Sequence, residues 1–120
     1  MKILIADDEP LIIDLLTEYL TAAGHDVTSA YDGKSLIKMV EEDPPELVFL
    51  DINMPGMRDE ILSPRVEIPP ALKNIPVVAV TGTDREKLYK MGLPAHIEVI
   101  QKPINFPEVD AAIAKLSGSV

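Results

Sequence analysis

Leu47-Val48-Phe49-Leu50-Asp51 is the stretch that decides the fold, because four consecutive apolar residues end abruptly at a carboxylate. Short continuous apolar runs bounded by chain breakers are typical of strands that are buried on both faces of a parallel sheet. Pro44-Pro45 precedes this run and separates it from the helical pattern before it. We therefore predict a buried parallel strand with Asp51 at its carboxyl end.

Three further apolar runs also end at polar or charged groups. They are Ile3-Leu4-Ile5 before Asp7-Asp8, Val77-Val78-Ala79-Val80 before Thr81-Gly82, and Ile97, Val99 and Ile100 before Lys102-Pro103. Residues 27–30 are more polar and predict an edge strand. Ligands of open α/β sheets bind outside the carboxyl ends of the strands. In a parallel sheet these polar groups should therefore converge on one edge of the domain.

Helical patterns alternate with these strands. The 3.6-residue period is clearest between Pro10 and Gly24, and shorter patterns cover residues 36–40, 83–92 and 106–116. The capping-box sequence Thr83-Asp84-Arg85-Glu86 opens the third of these helices. Strand alternating with helix predicts an α/β, doubly wound domain with right-handed crossovers.

The third crossover, from residue 58 to residue 74, departs from this regular alternation. Pro64, Pro69 and Pro70 lie where a helix is expected. A proline in the interior of a helix removes a hydrogen bond, clashes with the preceding turn and costs about 3 kcal/mol. The helix of this crossover should therefore be short, kinked or partly missing.

The composition restricts the possible functions. A chain of 120 residues fits one domain, and we expect residues 1–120 to form a single one. Asp and Glu number 20 and Lys and Arg number 11, and the net charge of -9 argues against direct binding to nucleic acid or to an anionic membrane. The absence of cysteine excludes disulfides, thiol nucleophiles and Cys-ligated zinc. The sequence shows neither a membrane span nor a signal peptide, so we expect a cytoplasmic location.

The charges at the predicted edge of the sheet indicate what it binds. Asp7, Asp8 and Asp51 together with Lys102 sum to -2, since three carboxylates face one ammonium. Their mutual repulsion would raise the carboxyl pKa values unless a cation compensates it. A divalent cation brings the sum to zero, and hard oxygen ligands favour Mg²⁺. With the Thr81 hydroxyl and a carboxylate nucleophile, such a site has the parts needed for phosphoryl transfer.

The sequence resembles the response-regulator receiver domains of two-component signalling, the CheY-like family. The resemblance covers essentially the whole chain and is carried by four motifs in the right order: residues 2–10, Leu50-Asp51-Ile52-Asn53-Met54-Pro55-Gly56, Val80-Thr81-Gly82 and Lys102-Pro103-Ile104. It implies a flavodoxin-like, five-stranded parallel sheet with strand order 2-1-3-4-5. It also implies a protein that is not an enzyme but a phospho-acceptor that assists its own phosphorylation and dephosphorylation.

The resemblance implies a role for each site residue. Asp51 would be the phospho-acceptor, and Mg²⁺ would be held by Asp8 directly, by Asp7 mainly through water, by Asp51 and by the backbone carbonyl of Asn53, whose side chain should matter less. Thr81 and Lys102 would bind the phosphoryl group, and the Lys102-Pro103 peptide bond is expected to be cis.

The resemblance also implies the partners. The donor would be a phosphohistidine on a histidine kinase or phosphotransfer protein. The downstream protein target would bind the fourth helix, fifth strand and fifth helix, roughly residues 84–91, 97–100 and 106–116.

The sequence departs from the family at the switch position. The aromatic residue usually found three positions before the lysine is replaced by Val99, which has no ring to rotate. We hypothesise that activation is instead relayed by backbone shifts in the loop of residues 81–84.

Three alternative functions compete with this interpretation. A Mg²⁺-dependent phosphohydrolase with an aspartate nucleophile would need an acid or base where Asn53 stands. A flavin carrier would need a phosphate loop after the first strand, where Asp7-Asp8-Glu9 would repel the flavin phosphate. A degenerate receiver acting as a constitutive binding module has only Val99 and the prolines in its favour.

Overall fold

The fold is a parallel sheet covered by helices on both faces. The computed structural model describes residues 1–54 and 68–116. Its strands are β1 (Lys2–Ala6), β2 (Asp26–Ala30), β3 (Leu47–Leu50), β4 (Val77–Thr81) and β5 (Glu98–Gln101). The strand order is β2-β1-β3-β4-β5 and every pairing is parallel. The predicted architecture, strand order and polar edge strand β2 are thus confirmed.

The described part of the chain has four helices, of which the first three connect strands and the last follows β5: α1 (Pro10–Ala22), α2 (Gly33–Glu42), α3 (Arg85–Lys90) and α4 (Phe106–Leu116). Pro10 occupies the first turn of α1, where its missing N–H costs nothing. Gly24 follows the end of α1 with a φ of 94°, a conformation that only glycine adopts readily. The α3 and α4 helices correspond to the helices predicted as the fourth and fifth of the domain.

The capping of α3 differs from the capping-box prediction. The N-cap is Asp84, whose carboxylate accepts a hydrogen bond from the backbone N–H of Glu86 at 2.8 Å. Thr83 belongs to the preceding loop, because its N–H donates to the hydroxyl of Thr81 at 3.1 Å. The helix therefore begins one residue later than a capping box headed by Thr83 would require.

Two hydrophobic layers pack against the sheet. Alternate residues of the strands point to opposite faces, so Leu4 and Ala6 belong to one layer and Ile3 and Ile5 to the other. The first layer is completed by apolar residues of α2 and α3: Leu36, Val40 and Leu88. The second is completed by apolar residues of α1 and α4: Ile13, Leu16, Leu20, Val109 and Ala112. This packing fixes the strands whose carboxyl ends carry the predicted site.

The described part of the third crossover is irregular, as predicted. A 3-10 turn at Pro70–Leu72 is the regular element of residues 68–76, and Pro70 is its first residue. Leu72 is buried and packs in the layer of α2. Pro64 lies outside the described residues. None of the helices within residues 1–54 and 68–116 combines the length and the hydropathy that a bilayer span requires.

Candidate functional site

Four strands bring reactive side chains to one edge of the sheet. Asp7 follows β1, Asp51 follows β3, Thr81 ends β4 and Lys102 follows β5. Carboxylate oxygens of Asp7, Asp8, Glu9 and Asp51 all lie within 4.8 Å of one another. The fold therefore brings together the predicted carboxylates of Asp7, Asp8 and Asp51, at the edge of the sheet where Thr81 and Lys102 also lie.

Asp7 is a buried carboxylate, although the chain leaves the sheet at this point. Its Oδ1 accepts a hydrogen bond from the backbone N–H of Glu9 at 2.8 Å, which shapes the turn into α1. Its Oδ2 lies 3.1 Å from Nζ of Lys102 as an ion pair but accepts no hydrogen bond. A buried carboxylate oxygen without a hydrogen bond is costly. This oxygen therefore leaves a coordination position for a cation.

Asp51 is 4% exposed and is held at the centre of the cluster. Its Oδ1 accepts a hydrogen bond from the backbone N–H of Asn53 at 2.9 Å, and its Oδ2 lies 3.5 Å from Nζ of Lys102. Burial raises the pKa of Asp51 to about 6, and the charge of Asp7 adds to this effect, while the Asn53 N–H and Lys102 oppose it. The pKa of Asp51 is thus raised, as predicted for crowded carboxylates, but desolvation contributes more to the rise than repulsion from Asp7 does.

Lys102 lies among three carboxylates, and Asp51 is the most distant of them. Its Nζ lies 2.8 Å from Oε1 of Glu9, 3.1 Å from Oδ2 of Asp7 and 3.5 Å from Oδ2 of Asp51. Burial lowers the pKa of Lys102, but the hydrogen bond to Glu9 and the charges of Asp51 and Asp7 outweigh burial and raise that pKa above its ordinary value. The Lys102–Pro103 peptide bond is cis, as expected.

Glu9 is the site residue that the sequence analysis did not single out. It contributes a fourth carboxylate, so the cluster sums to -3 when all four acids and Lys102 are charged, rather than the predicted -2. Its position immediately after Asp7-Asp8 and before the first residue of α1 is the only sequence signal that points to it. Its contact with Lys102 joins residues 93 positions apart and depends on the fold.

Thr81 is fully buried, and its hydroxyl joins β4 to the loop after β3. Its Oγ1 accepts hydrogen bonds from the backbone N–H of Thr83 at 3.1 Å and from Nδ2 of Asn53 at 3.2 Å. The prediction that the Asn53 side chain matters less concerns cation binding, which is a separate role from this hydrogen bond to the Thr81 hydroxyl. Asn53 therefore contributes its amide as well as its backbone to this site.

The donor set fits a hard divalent cation. Opposite ligands of an octahedral Mg²⁺ lie about 4.2 Å apart, since each bond is about 2.1 Å long. The carboxylate oxygens of the cluster already lie within 4.8 Å of one another, and Oδ2 of Asp7 lacks a hydrogen bond. The spacing of the oxygens in the cluster is therefore compatible with ligands of one such cation. The net charge of -3 on the cluster also favours the binding of a cation.

Val99 lies on β5, away from the carboxylates. It is 3% exposed, and its backbone carbonyl accepts a hydrogen bond from Nη2 of Arg85 at 2.8 Å. The position where the family carries its switch aromatic is therefore in contact with the first residue of α3.

Comparisons with known proteins agree with this geometry. A sequence model of the response regulator receiver domain matches residues 3–114. The response regulator PleD of Caulobacter vibrioides is 31% identical over 117 residues, which cover 97% of this chain and 26% of PleD. The response regulator GtcR of Aneurinibacillus migulanus is 35% identical over 111 residues, which cover 92% of this chain and 45% of GtcR. The chain thus spans less than half the length of these relatives.

The structural comparison supports the same fold. The chemotaxis response regulator CheY4 of Vibrio cholerae superposes with a TM-score of 0.76 over 96% of this chain and 97% of that chain, at 22% sequence identity. At this identity the likeness concerns the arrangement of strands and helices alone.

Proposed function

This chain belongs to the response regulator receiver domain family, and from that premise we propose that it accepts a phosphoryl group on Asp51 from a phosphohistidine. The observation that carries the proposal is the position of Asp51. A buried carboxylate lies within 4.8 Å of other acidic oxygens and 3.5 Å from an ammonium group. Such a carboxylate is both a nucleophile and a cation ligand.

Asp7, Asp8, Asp51 and the backbone carbonyl of Asn53 would hold Mg²⁺. When bound, this cation supplies positive charge to the phosphoryl oxygens. Burial raises the pKa of Asp51 to about 6 in the cation-free site, which is still below neutral pH, so the carboxylate is available as a nucleophile.

The transfer step uses the residues already in place. One carboxylate oxygen of Asp51 forms a bond to phosphorus while the bond from phosphorus to the imidazole nitrogen of the donor breaks, and the imidazole keeps that electron pair. The ammonium of Lys102 moves toward the transferred group, where it balances part of its charge. The hydroxyl of Thr81, whose oxygen accepts two hydrogen bonds, donates its own hydrogen to a phosphoryl oxygen.

The donor is a histidine kinase or phosphotransfer protein that docks beside the site. Leu11 is 82% exposed and Leu15 is 41% exposed, and both lie on α1, which begins directly after Glu9. Exposed apolar side chains grouped beside a reaction site are typical of a protein-binding surface. The output partner binds the surface formed by α3, β5 and α4, as the family resemblance implies.

The test uses a small phosphodonor and intact-protein mass spectrometry. The wild-type chain is incubated with acetyl phosphate and Mg²⁺, and a mass increase of one phosphoryl group is expected. Asp51→Asn should abolish the adduct, whereas Asp14→Asn, which removes an exposed carboxylate from α1, should leave it unchanged. An adduct that survives Asp51→Asn would refute the assignment. Continuous turnover of several phosphoesters would favour a phosphohydrolase, and a folded chain that binds Mg²⁺ but never forms the adduct would favour a degenerate receiver.

A further inference from the structure

Two side chains of α3 lie along the open edge of β5. Nη2 of Arg85 donates a hydrogen bond to the carbonyl of Val99, and the hydroxyl of Tyr89 donates one to the carbonyl of Ile97, both at 2.8 Å. Arg85 and Tyr89 are one helical turn apart. Ile97, the residue before β5, and Val99 within β5 are two residues apart, so their carbonyls point to the same side. Among residues 1–54 and 68–116, β5 is the last strand of the sheet, and α3 is hydrogen-bonded directly to its outer edge.

The Arg85 contact occupies the switch position of the family. Val99 offers no ring, and the groove of about 230 Å³ between α3, β5 and α4 is lined by aliphatic and charged residues without an aromatic one. The connection between α3 and β5 at this point is therefore a polar one, from a guanidinium to a backbone carbonyl.

The backbone of Arg85 is connected to the phosphoryl site through the loop of residues 81–84. Thr81 holds the N–H of Thr83 through its hydroxyl, Asp84 caps α3, and Arg85 is the first residue of that helix. The Thr81 hydroxyl can donate its own hydrogen to a phosphoryl oxygen while it still accepts from the Thr83 N–H, so a movement of Oγ1 toward that oxygen pulls Thr83 with it. The loop of residues 81–84 then shifts, and α3 follows it directly because Asp84 is the N-cap of that helix.

We propose that Arg85 is the positioning residue that couples this loop to β5, in place of a rotating aromatic ring. Displacement of the loop moves the start of α3, and the Arg85 guanidinium carries that displacement to the Val99 carbonyl and so to the output surface. The inference rests on the proposed phosphorylation of Asp51, since it needs a phosphoryl group to recruit Thr81.

The test follows backbone amide chemical shifts by NMR with and without beryllium trifluoride and Mg²⁺, a mimic of the phosphorylated state. The wild type should show shift changes at residues 81–84 and at residues 98–100. In Arg85→Met the changes at 81–84 should persist, and those at 98–100 should fall to less than half. Arg85→Lys should restore part of the response, because its ammonium can donate to the same carbonyl. Lys87→Met, which removes the same charge from the exposed side of α3, should behave like the wild type.

The outcomes separate this inference from the proposed function. Wild-type-sized changes at 98–100 in Arg85→Met overturn the coupling role, and so does an equal loss in Lys87→Met. Absence of any response at 81–84 in the folded wild type contradicts the proposed function instead. Arg85→Gln, whose shorter amide does not span the same distance, provides a second variant should Arg85→Met fail to fold.

Discussion

Replacement of Asp51 by Asn should stabilise the cation-free protein, although it removes the proposed acceptor. Burial and the neighbouring Asp7 raise the pKa of Asp51 from its ordinary value of 3.8 to about 6. A carboxyl group with a raised pKa binds its proton more tightly in the folded state than in the unfolded state. The contribution of the protonated Asp51 carboxyl to stability is therefore fully present below about pH 4 and is lost as the pH rises through about 6.

The size of the effect follows from the same pKa. Each tenfold difference in proton affinity corresponds to about 1.4 kcal/mol, so ionised Asp51 lowers the free energy of unfolding by about 3 kcal/mol at neutral pH. The substitution also removes the contact from Lys102, which is the longest of its three at 3.5 Å, and Lys102 keeps Glu9 and Asp7. We therefore expect Asp51→Asn to raise the free energy of unfolding by about 2 to 3 kcal/mol at pH 7.

Urea unfolding followed by circular dichroism measures this difference. The wild type and Asp51→Asn are compared in the presence of a chelator from pH 4 to pH 7, with Asp14→Asn as the charge-matched control. The stability gap should be small at pH 4, grow through pH 5 and 6, and level off near pH 7, while the control stays near the wild type. Mg²⁺ should narrow the gap, because a cation that binds the folded wild type stabilises it by mass action. A gap that is absent at pH 7, or one that does not change with pH, would refute the reasoning.

Three further predictions address other parts of the domain. Glu9→Gln removes one charge from the cluster and frees Lys102 to compete for its oxygens, so calorimetry should show Mg²⁺ affinity reduced by about three- to tenfold. Glu18→Gln, which removes an exposed carboxylate from α1, should have no such effect. Leu11→Ser should slow phosphorylation by a phosphohistidine protein about tenfold in a radiolabel transfer assay and leave the rate with acetyl phosphate unchanged, because only a protein donor contacts α1. Leu20→Ala empties a fully buried position between α1 and the sheet and should lower the free energy of unfolding by about 2 to 5 kcal/mol in urea titration, with the mutant still forming the Asp51 adduct.

The fold could be read from the sequence because its strands are buried on both faces. A run such as Leu47-Val48-Phe49-Leu50 has no polar position, and this pattern leaves few alternatives to a parallel strand. The same logic placed Asp51, Thr81 and Lys102 together, since the carboxyl ends of parallel strands share an edge. These positions depend on the backbone alone, which is why the pattern was sufficient.

The remaining features of the site depend on side chains that only the folded chain brings together. In the sequence, Glu9 is simply the third of three consecutive acidic residues. Its hydrogen bond to Lys102 requires the loop after β5 to lie beside the start of α1. The amide of Asn53 reaches Thr81 because the turn after β3 is held by Asp51. In the sequence, Arg85 is an ordinary residue at the start of a helix. Its contact with the Val99 carbonyl becomes visible only when the fold places α3 beside the edge of β5.

The hydrogen bonds of Arg85 and Tyr89 also affect the tendency of the domain to aggregate at high concentration. An unprotected edge strand is a template on which a strand of another chain can pair and aggregate. The carbonyl of Val99 in β5 and that of Ile97 just before it already accept hydrogen bonds from α3, whose side chains occupy the position that an approaching strand would need. Partners on this side must recognise side chains rather than extend the sheet, and the domain is protected there against sheet-to-sheet polymerisation.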